Sequence, residues 1–393
     1  MNAHSRLVEM ARRALEHADA GTQGQADDVL RIPAANYVDR DRWELEMARI
    51  FRRVPLVAGF SAEVAAPGSY KALERAGVPV LLSRGADGEL RAFVNMCSHR
   101  GAIVAEPGHG TARRFACPYH AWTYNQSGEL VGVPDRSDFG LEDTSCLGLT
   151  PLPVAERAGI VFVSVDPNAT LDVDTFLCGY DEMLATARLD ECTYVGEQHV
   201  AGPNWKIAYD GYLDLYHLPF LHKDSFGPGM NNKAIYEGWG PHQRVFSPNP
   251  KFDRYRDLPD EEWPLDVISR GLFTIFPHVS IAGFDVGEGL VFMISQLTPG
   301  DAPGESITTQ SFLFRGELDD EHEMLIKKQM AFLESVVRDE DYATGLGIQK
   351  ALATGTKPEV IFGRNEGGGQ QFHGWVDRFV AAEDDAALAA LFE

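Results

Sequence analysis

Two short pairs of cysteine and histidine constrain this chain more than any other feature of its 393 residues. The first pair is Cys97-x-His99 and the second is Cys117-x-x-His120. Two thiolates and two imidazoles at this spacing suit a [2Fe–2S] cluster in which the thiolates bind one iron and the imidazoles bind the other. Exchanging two thiolates for neutral imidazoles removes negative charge and raises the reduction potential of the cluster. The motif therefore predicts a chain that accepts and passes on electrons.

Zinc is the main alternative, because two thiolates and two imidazoles also suit tetrahedral zinc. Zinc fingers usually pair cysteine with cysteine and histidine with histidine along the sequence, whereas this chain alternates the two. Gly101 and Pro118 supply the free φ and the fixed φ that tight ligand loops need. We therefore favour the iron–sulfur interpretation. A zinc site, or four unrelated core residues, stays open as an alternative.

The composition excludes several classes of function. The formal net charge of −23 argues against a general binder of nucleic acids or anionic membranes. The N-terminal residues carry charges throughout and show no secretory signal, and no apolar run reaches membrane-spanning length. Cys146, Cys178 and Cys192 are an odd remainder without disulfide-like spacing, which favours reduced thiols. These features predict a cytoplasmic protein without nucleic-acid or membrane partners.

The pattern of apolar runs, turn residues and helical periods predicts an α+β fold with two domains. Residues 1–38 form an N-terminal helical segment, and residues 39–167 form a small all-β domain with a leading helix. Short apolar runs at Val78–Leu82 and Leu90–Val94 flank a Gly-Ala-Asp-Gly turn, which is typical of a hairpin. Residues 168–393 mix helical periods with grouped strands, which predicts an α+β domain.

A second group of candidate ligands is Asp214-x-x-His217-x-x-x-x-His222. We predict one helix over residues 204–218, on which Asp214 and His217 share a face. Pro219 should kink or end that helix and could bring both imidazoles to one point. Two histidines and one carboxylate make the facial triad of non-haem Fe(II) oxygenases. The carboxylate is either Asp214 or one from the acidic run 338–341, and a structural histidine pair with solvated acids is the alternative.

Together these residues resemble the terminal oxygenase (α) subunits of Rieske non-haem iron oxygenases, the aromatic ring-hydroxylating family. The resemblance extends from Tyr37 to Trp375. It is strongest over residues 95–124 (NMCSHRGAIVAEPGHGTARRFACPYHAWTY) and 204–222 (NWKIAYDGYLDLYHLPFLH), and weaker from Glu340 onward. It implies a small all-β Rieske domain, followed by a helix-grip-like catalytic domain in which helices surround an antiparallel sheet.

The resemblance also implies a role for each candidate residue. The cluster ligands would be Cys97, His99, Cys117 and His120. The ligands of a mononuclear Fe(II) would be His217, His222 and Asp341. Asp214 would then be a bridging carboxylate that accepts hydrogen bonds from His120 of one subunit and His217 of its neighbour, fixing both imidazoles and shortening the electron path.

Three positions depart from the family pattern. Ala121 stands where glycine is usual after the second cluster histidine, and its methyl group should be tolerated if φ is negative. Asp210-Gly211 replaces a frequent Glu-Asn pair, so Gly211 could open the substrate pocket. His278 stands where asparagine is common. None of these changes removes a metal ligand.

The resemblance implies an O2-dependent oxygenase. Electrons from NAD(P)H would arrive through a reductase, with or without a ferredoxin. Beside the cluster loops, Arg100, Arg113 and Arg114 would offer local positive charge to an acidic electron donor. We expect a homotrimer in which neighbours pair head to tail, with a β subunit left open. The expected substrate is a small aromatic compound that is hydroxylated or dihydroxylated. The alternatives are N- or O-demethylation or oxidation of a quaternary amine, and, more distantly, a Rieske electron-transfer protein without oxygenase activity.

Overall fold

The computed structural model describes residues 2–228 and 230–393. Within these residues the α-helices are α1 (Ala3–Ala20), α2 (Arg40–Glu46), α3 (Arg136–Phe139), α4 (Val173–Leu177), α5 (Tyr180–Leu184), α6 (Trp205–Leu213), α7 (Leu218–Leu221), α8 (Leu265–Ile268), α9 (Asp320–Val336), α10 (Ala343–Leu352), α11 (Gly367–Ala381) and α12 (Asp385–Ala389). In that same part of the chain, no helix is long and apolar enough to cross a membrane.

The predicted α+β fold class is confirmed, because the chain contains strands as well as helices. They are β1 (Leu30–Pro33), β2 (Leu56–Phe60), β3 (Ser69–Arg75), β4 (Val78–Arg84), β5 (Leu90–Val94), β6 (Gly108–Thr111), β7 (Arg114–Ala116), β8 (Thr123–Asn125), β9 (Leu130–Gly132), β10 (Pro151–Leu152), β11 (Val154–Arg157), β12 (Ile160–Val163), β13 (Thr193–Gly202), β14 (Ile235–Trp239), β15 (His242–Phe246), β16 (Leu272–Ile275), β17 (Val279–Val286), β18 (Gly289–Pro299), β19 (Ser306–Arg315) and β20 (Glu359–Phe362).

The chain forms two compact units. The smaller unit comprises Phe51–Phe176 and Leu189–Glu191, and the larger unit comprises the rest. These limits differ from the predicted boundaries at residues 38 and 167, because the N-terminal segment is part of the larger unit. There β1 pairs with β20 in register Leu30↔Phe362.

The smaller unit is built from three antiparallel sheets. Their strand orders are β10-β5-β4-β3-β6, β11-β12-β2 and β7-β8-β9. The predicted hairpin is present, since β4 pairs with β5 in register Leu81↔Phe93. The side chains of both residues are buried in the core that also contains Trp122 and Tyr124. The sheets thus place a packed apolar core directly beneath the cysteine–histidine loops.

The larger unit is organised around one seven-stranded antiparallel sheet with the order β13-β19-β18-β17-β16-β15-β14. Helix α9 packs on this sheet, and Ile326 and Leu333 of the helix share a buried cluster with Phe312 and Phe314 of β19. Beyond α9 the chain continues as a π-helical turn, Val337–Tyr342, into α10. Wide turns of this kind are frequent at functional sites.

Helix α6 is fixed at its first turn by buried polar contacts. The side chain of Asn204 caps the helix by accepting a hydrogen bond from the amide of Lys206 at 2.9 Å. The ammonium group of Lys206 lies 2.5 Å from the carboxylate of Glu46, and both side chains are fully buried. Glu46 also accepts from the indole of Trp205 at 3.1 Å. Because a buried charge is tolerated only with its partner, this pair ties α6 to α2.

Candidate functional site

The two cysteine–histidine loops of the smaller unit share one backbone hydrogen-bond pattern. In the first loop the amide of Gly101 donates to the carbonyl of Cys97 at 2.9 Å, and in the second the amide of Ala121 donates to Cys117 at 2.9 Å. The cysteine amides donate in turn to Ala102 and to Trp122, each at 2.8 Å. Both loops are therefore closed by main-chain bonds before any metal binds.

The four predicted cluster ligands lie on these two loops, and the two cysteines share one buried cluster. The thiols of Cys97 and Cys117 are free and buried. The imidazole rings of His99 and His120 have centroids 4.7 Å apart. The ring of His99 is stacked on the indole of Trp122 at 4.8 Å, whereas His120 lies exposed at the surface. One imidazole is thus half-buried against Trp122 and the other is exposed.

These residues fit a [2Fe–2S] cluster. The Nδ1 atom of His99 is buried and has no hydrogen-bond partner among the described residues. A buried nitrogen without a partner is costly, and bonding to a metal would remove that cost. The hydroxyl of Tyr124 accepts from the amide of Ser98 at 3.0 Å and lies 3.2 Å from the sulfur of Cys97. Its proton is therefore free to point at the cysteine sulfur.

The backbone at Ala121 does not have the negative φ that the sequence analysis required for its methyl group. Its φ is +55°, in the left-handed region, whereas the methyl group was expected to require a negative φ. Gly101 occupies the equivalent position of the first loop with φ +79°. In both loops the left-handed residue turns the chain so that the carbonyl of the next residue, Ala102 or Trp122, accepts from the cysteine amide. Ala121 therefore carries the backbone strain that glycine avoids.

In the larger unit, helix α6 ends earlier than predicted. The prediction of one helix over residues 204–218 is wrong, because the chain becomes extended at Asp214 (φ −106°, ψ 114°). The carboxylate of Asp214 accepts from the amide of Tyr216 at 2.5 Å, which is an Asx turn that replaces the next helical bond. Pro219 does not kink α6 but lies in the first turn of α7, where proline is favourable. His217 precedes α7 and His222 follows it.

The turn brings three predicted iron ligands to one point. The Oδ1 atom of Asp341 lies 3.6 Å from Nε2 of His217 and 3.3 Å from Nε2 of His222. One ligand atom from each residue lies within 4.8 Å of the other two. Two imidazoles and one carboxylate form the donor set of non-haem Fe(II) sites, and they fit such an ion. Asp341 lies in the π-helical turn after α9, 119 positions from His222 in the numbering of the chain.

The opposite edge of each imidazole also meets a carboxylate. His217 Nδ1 lies 3.2 Å from Asp214, as the resemblance implied. His222 Nδ1 lies 2.6 Å from Oε2 of Glu340, which also accepts from the hydroxyl of Ser225 at 3.0 Å. Sequence reasoning did not assign Glu340 a role. Its one signal was its position directly before Asp341 in the acidic run.

Burial and charge act in opposite directions on these histidines. Burial lowers the pKa of His217, but hydrogen bonds and charge from Asp214 and Asp341 outweigh it and raise the pKa to about 9. The balance is the same at His222, where Asp341 and Glu340 raise the pKa. Burial raises the pKa of Asp341, and the two histidines lower it overall. The site therefore favours positive charge, which suits a cation as well as a proton.

A cavity of about 450 Å³ opens on this group of ligands. Most of its lining is apolar, and five aromatic side chains contribute to it: Tyr212, Phe226, Phe284, Phe332 and Tyr342. Its carboxylates and imidazoles are those of Asp214 and the three candidate iron ligands, and no lysine or arginine of the described residues lines it. A Cβ atom on Gly211, which also lines the cavity, would meet no atom within 4 Å. The predicted extra space at Gly211 is present, whereas His278 is buried and lies outside the lining.

Two family models match the chain. The model described as the Rieske [2Fe-2S] domain matches residues 54–151. The model described as the ring hydroxylating alpha subunit (catalytic domain) matches residues 189–382. Each model falls on the unit that holds the corresponding group of candidate ligands.

Curated relatives point to the same family. Glycine betaine monooxygenase oxygenase subunit of Pseudomonas aeruginosa is 29% identical over 220 residues, which span 55% of this chain and 49% of that protein. Chloroplastic choline monooxygenase of Beta vulgaris is 29% identical over 368 residues, spanning 89% and 77%. Benzene 1,2-dioxygenase subunit alpha of Pseudomonas putida is 33% identical over 243 residues, spanning 55% and 52%. The chain thus spans about half the length of the first and third of these relatives.

Solved structures support the fold. The apo form of the quaternary ammonium Rieske monooxygenase CntA superposes with a TM-score of 0.73 at 23% identity, covering 90% of this chain and 96% of that one. Because both domain models match, the chain belongs to the α subunits of Rieske non-haem iron oxygenases. These proteins are oxidoreductases that use O2. The two domains imply a Rieske cluster and a mononuclear iron.

Proposed function

We propose that this protein is the oxygenase component of a Rieske monooxygenase that oxidises an alkyl group on the nitrogen of a quaternary or tertiary amine. The observation that carries the proposal is the apolar cavity, lined in part by aromatic rings, that opens on His217, His222 and Asp341. Aromatic faces attract alkylammonium cations, and every formal charge lining this cavity other than a protonated histidine is negative. Relatives named for glycine betaine and choline, and the CntA structure, support this substrate class.

The proposal revises the expected order of substrates. Ring hydroxylation of an aromatic compound was the main expectation, and amine oxidation was the alternative. The relatives now favour the alternative. Ring hydroxylation stays as the second candidate, because the cavity is also apolar enough for an aromatic ring and because benzene dioxygenase is a relative.

The residues divide the work as follows. Cys97, His99, Cys117 and His120 would hold the cluster, and His217, His222 and Asp341 would hold the iron. When bound, these centres supply electron transfer and the activation of O2. Asp214 fixes His217, the aromatic walls orient the substrate, and the apolar lining excludes water. For an N-methyl amine, O2, two electrons and two protons would give one C–H hydroxylation and one water, and the carbinol would release formaldehyde.

The lining also predicts which amines are accepted. A carboxylate carried into this cavity would lose its hydration without a lysine or arginine to replace it. Amines without a carboxylate, such as choline or tetramethylammonium, should therefore be better substrates than glycine betaine. The difference should appear mainly in KM, because it concerns binding of a group remote from the reacting carbon.

The test is turnover by anaerobically purified, iron-replete protein with a surrogate reductase and NADH. Choline, tetramethylammonium, glycine betaine, benzene and naphthalene are compared by O2 uptake, formaldehyde and diol formation. Formaldehyde formed in step with O2 uptake from the carboxylate-free methylamine supports the proposal. Diol formation from the aromatic compounds alone would establish the second candidate. An amine-independent O2 uptake that yields peroxide would overturn both.

We further propose a homotrimer in which each cluster docks on a neighbouring copy. Around the cluster loops Tyr119 and Phe139 are exposed by 58% and 47%. On the larger unit, Tyr216 and Phe220 beside Asp214 are exposed by 49% and 60%. Large exposed apolar side chains at both places suit a head-to-tail contact that closes a ring. Light scattering should give three times the chain mass of 43.3 kDa. A monomer at working concentration would contradict this arrangement.

The electron donor is proposed to be an acidic reductase or ferredoxin. Arg100, Arg113 and Arg114 are exposed in and beside the cluster loops of a chain that is otherwise strongly acidic. Complementary charge mainly raises the association rate at low salt. Reversing Arg113 and Arg114 to glutamate should slow cluster reduction by the donor at low salt and leave reduction by dithionite unchanged. An unchanged donor rate would contradict the docking site.

A further inference from the structure

Glu340 contacts the edge of His222 that faces away from the candidate iron ligands. The Nδ1 atom of His222 lies 2.6 Å from Oε2 of Glu340, and Nε2 lies 3.3 Å from Asp341. The imidazole is therefore held between the carboxylates of two consecutive residues. Because consecutive side chains of a helical turn leave the backbone in different directions, neighbours in the turn after α9 can reach the two edges of one ring.

The carboxylate of Glu340 is itself fixed by a third residue. The hydroxyl of Ser225 donates to the same Oε2 atom at 3.0 Å. The amide of Ser225 donates to the carbonyl of His222 at 3.0 Å, so the turn after α7 holds the serine at a set distance from the histidine. Ser225, Glu340 and His222 thus form a closed set of contacts within one subunit.

We propose that Glu340 is a positioning residue that accepts the Nδ1 proton of His222 and thereby presents Nε2 to the iron. The inference rests on the iron site of the proposed function. It gives the site two carboxylate–imidazole pairs, Asp214 with His217 and Glu340 with His222. A carboxylate on the second nitrogen fixes the tautomer and ring orientation of a metal-binding histidine and raises its basicity, and losing such a partner costs roughly 10- to 100-fold in metal affinity or activity.

The two pairs should act differently. Asp214 is the residue expected to receive electrons from a neighbouring subunit, and it lies at the border of two cavities. Glu340 is anchored by Ser225 in its own subunit and does not line either of these cavities. Changes at Glu340 should therefore alter iron binding, whereas changes at Asp214 should alter electron transfer.

The test compares Glu340→Ala, Glu340→Gln and Ser225→Ala with the matched control Asp339→Asn. Asp339 is the adjacent carboxylate, but it is exposed and paired with Arg338 at 2.8 Å. Fe(II) affinity is measured anaerobically by competition with a chromophoric chelator, and the ferrous site is probed by the EPR spectrum of its nitric oxide complex. Acid-labile sulfide and the visible spectrum of the cluster show whether each variant has folded.

With about two sulfides retained per chain, Glu340→Ala should weaken Fe(II) binding by roughly 10- to 100-fold and change the EPR spectrum. Glu340→Gln should weaken it less, because an amide oxygen can still accept the Nδ1 proton without the charge. Ser225→Ala should have the smallest effect and Asp339→Asn none. Wild-type affinity and spectrum in Glu340→Ala would overturn the inference. If Glu340→Ala loses Fe(II) affinity but the wild-type protein oxidises no amine, the role of Glu340 stands. Only the proposed substrate class is then overturned.

Discussion

The two candidate metal sites hold their ligands in opposite ways. The cluster ligands all lie within residues 97–120, on two loops that main-chain hydrogen bonds close at 2.8–2.9 Å. The two histidines flank α7 and Asp341 lies in the turn after α9, and side-chain carboxylates orient the imidazoles. The first site is determined by local sequence, whereas the second exists only when distant segments pack correctly. The two sites should therefore respond differently to substitution.

The largest expected effect is at the ligand that joins the distant segments. Asp341→Ala removes the carboxylate that both histidines face. Iron should fall from about three to about two per chain, sulfide should stay at about two, and turnover should be abolished. Metal and sulfide analysis of anaerobic protein tests this. Loss of sulfide together with iron would show that the two sites are not independent. It would contradict the distinction between a locally determined cluster site and an iron site built from distant segments.

Asp214→Asn should separate electron transfer from metal binding. The amide can still accept the proton of His217, so both metals should be retained. Turnover should fall on the order of 100-fold, because the charged link between the centres is lost. Single-turnover kinetics with a pre-reduced cluster measures the transfer step directly. Retained turnover with both metals in place would refute the bridging role.

The same contrast explains what the sequence could predict. The cluster loops were recognisable because ligands, loop residues and core aromatics such as Trp122 lie within one short stretch. The sequence did not determine the sign of φ at Ala121. Alanine prefers a negative φ but can adopt a positive one at an energetic cost, so the residue type alone does not decide between them. A short motif thus predicts ligands well and local strain poorly.

The iron site was less predictable because tertiary contacts decide it. The residues alone left the carboxylate open between Asp214 and the acidic run, and only the resemblance selected Asp341. The helix was predicted to continue to residue 218 because helical periodicity is blind to the Asx turn at Asp214. Glu340 was missed because its role depends on Ser225 and His222, which lie more than 110 positions away in sequence.

A smaller effect is expected on the reduction potential of the cluster when the hydrogen bond between Tyr124 and the sulfur of Cys97 is removed. Burial and the contact with Cys97 raise the pKa of Tyr124 to about 12, so its hydroxyl keeps its proton and can donate to the sulfur. Such a bond stabilises the reduced, more negative cluster. Tyr124→Phe should lower the reduction potential on the order of 50 mV, since about 59 mV corresponds to tenfold for one electron. A redox titration followed by visible absorbance measures this. An unchanged potential would mean that the hydroxyl proton points elsewhere.

The smallest effect compares the two cluster loops with each other. Gly101 and Ala121 occupy equivalent left-handed positions, so exchanging their residue types should have opposite consequences. Gly101→Ala should destabilise the holoprotein by about 1 kcal/mol through backbone strain, because the nearest atom to its new methyl group, the sulfur of Met96, is 3.7 Å away and leaves room. Ala121→Gly should stabilise by less than about 1 kcal/mol, because glycine relieves the strain but gains freedom when unfolded. Denaturant titration followed by cluster absorbance compares both variants with the wild type. If Ala121→Gly lowered the midpoint, then Ala121 would not be strained, and the two loops would owe their common backbone pattern to different causes.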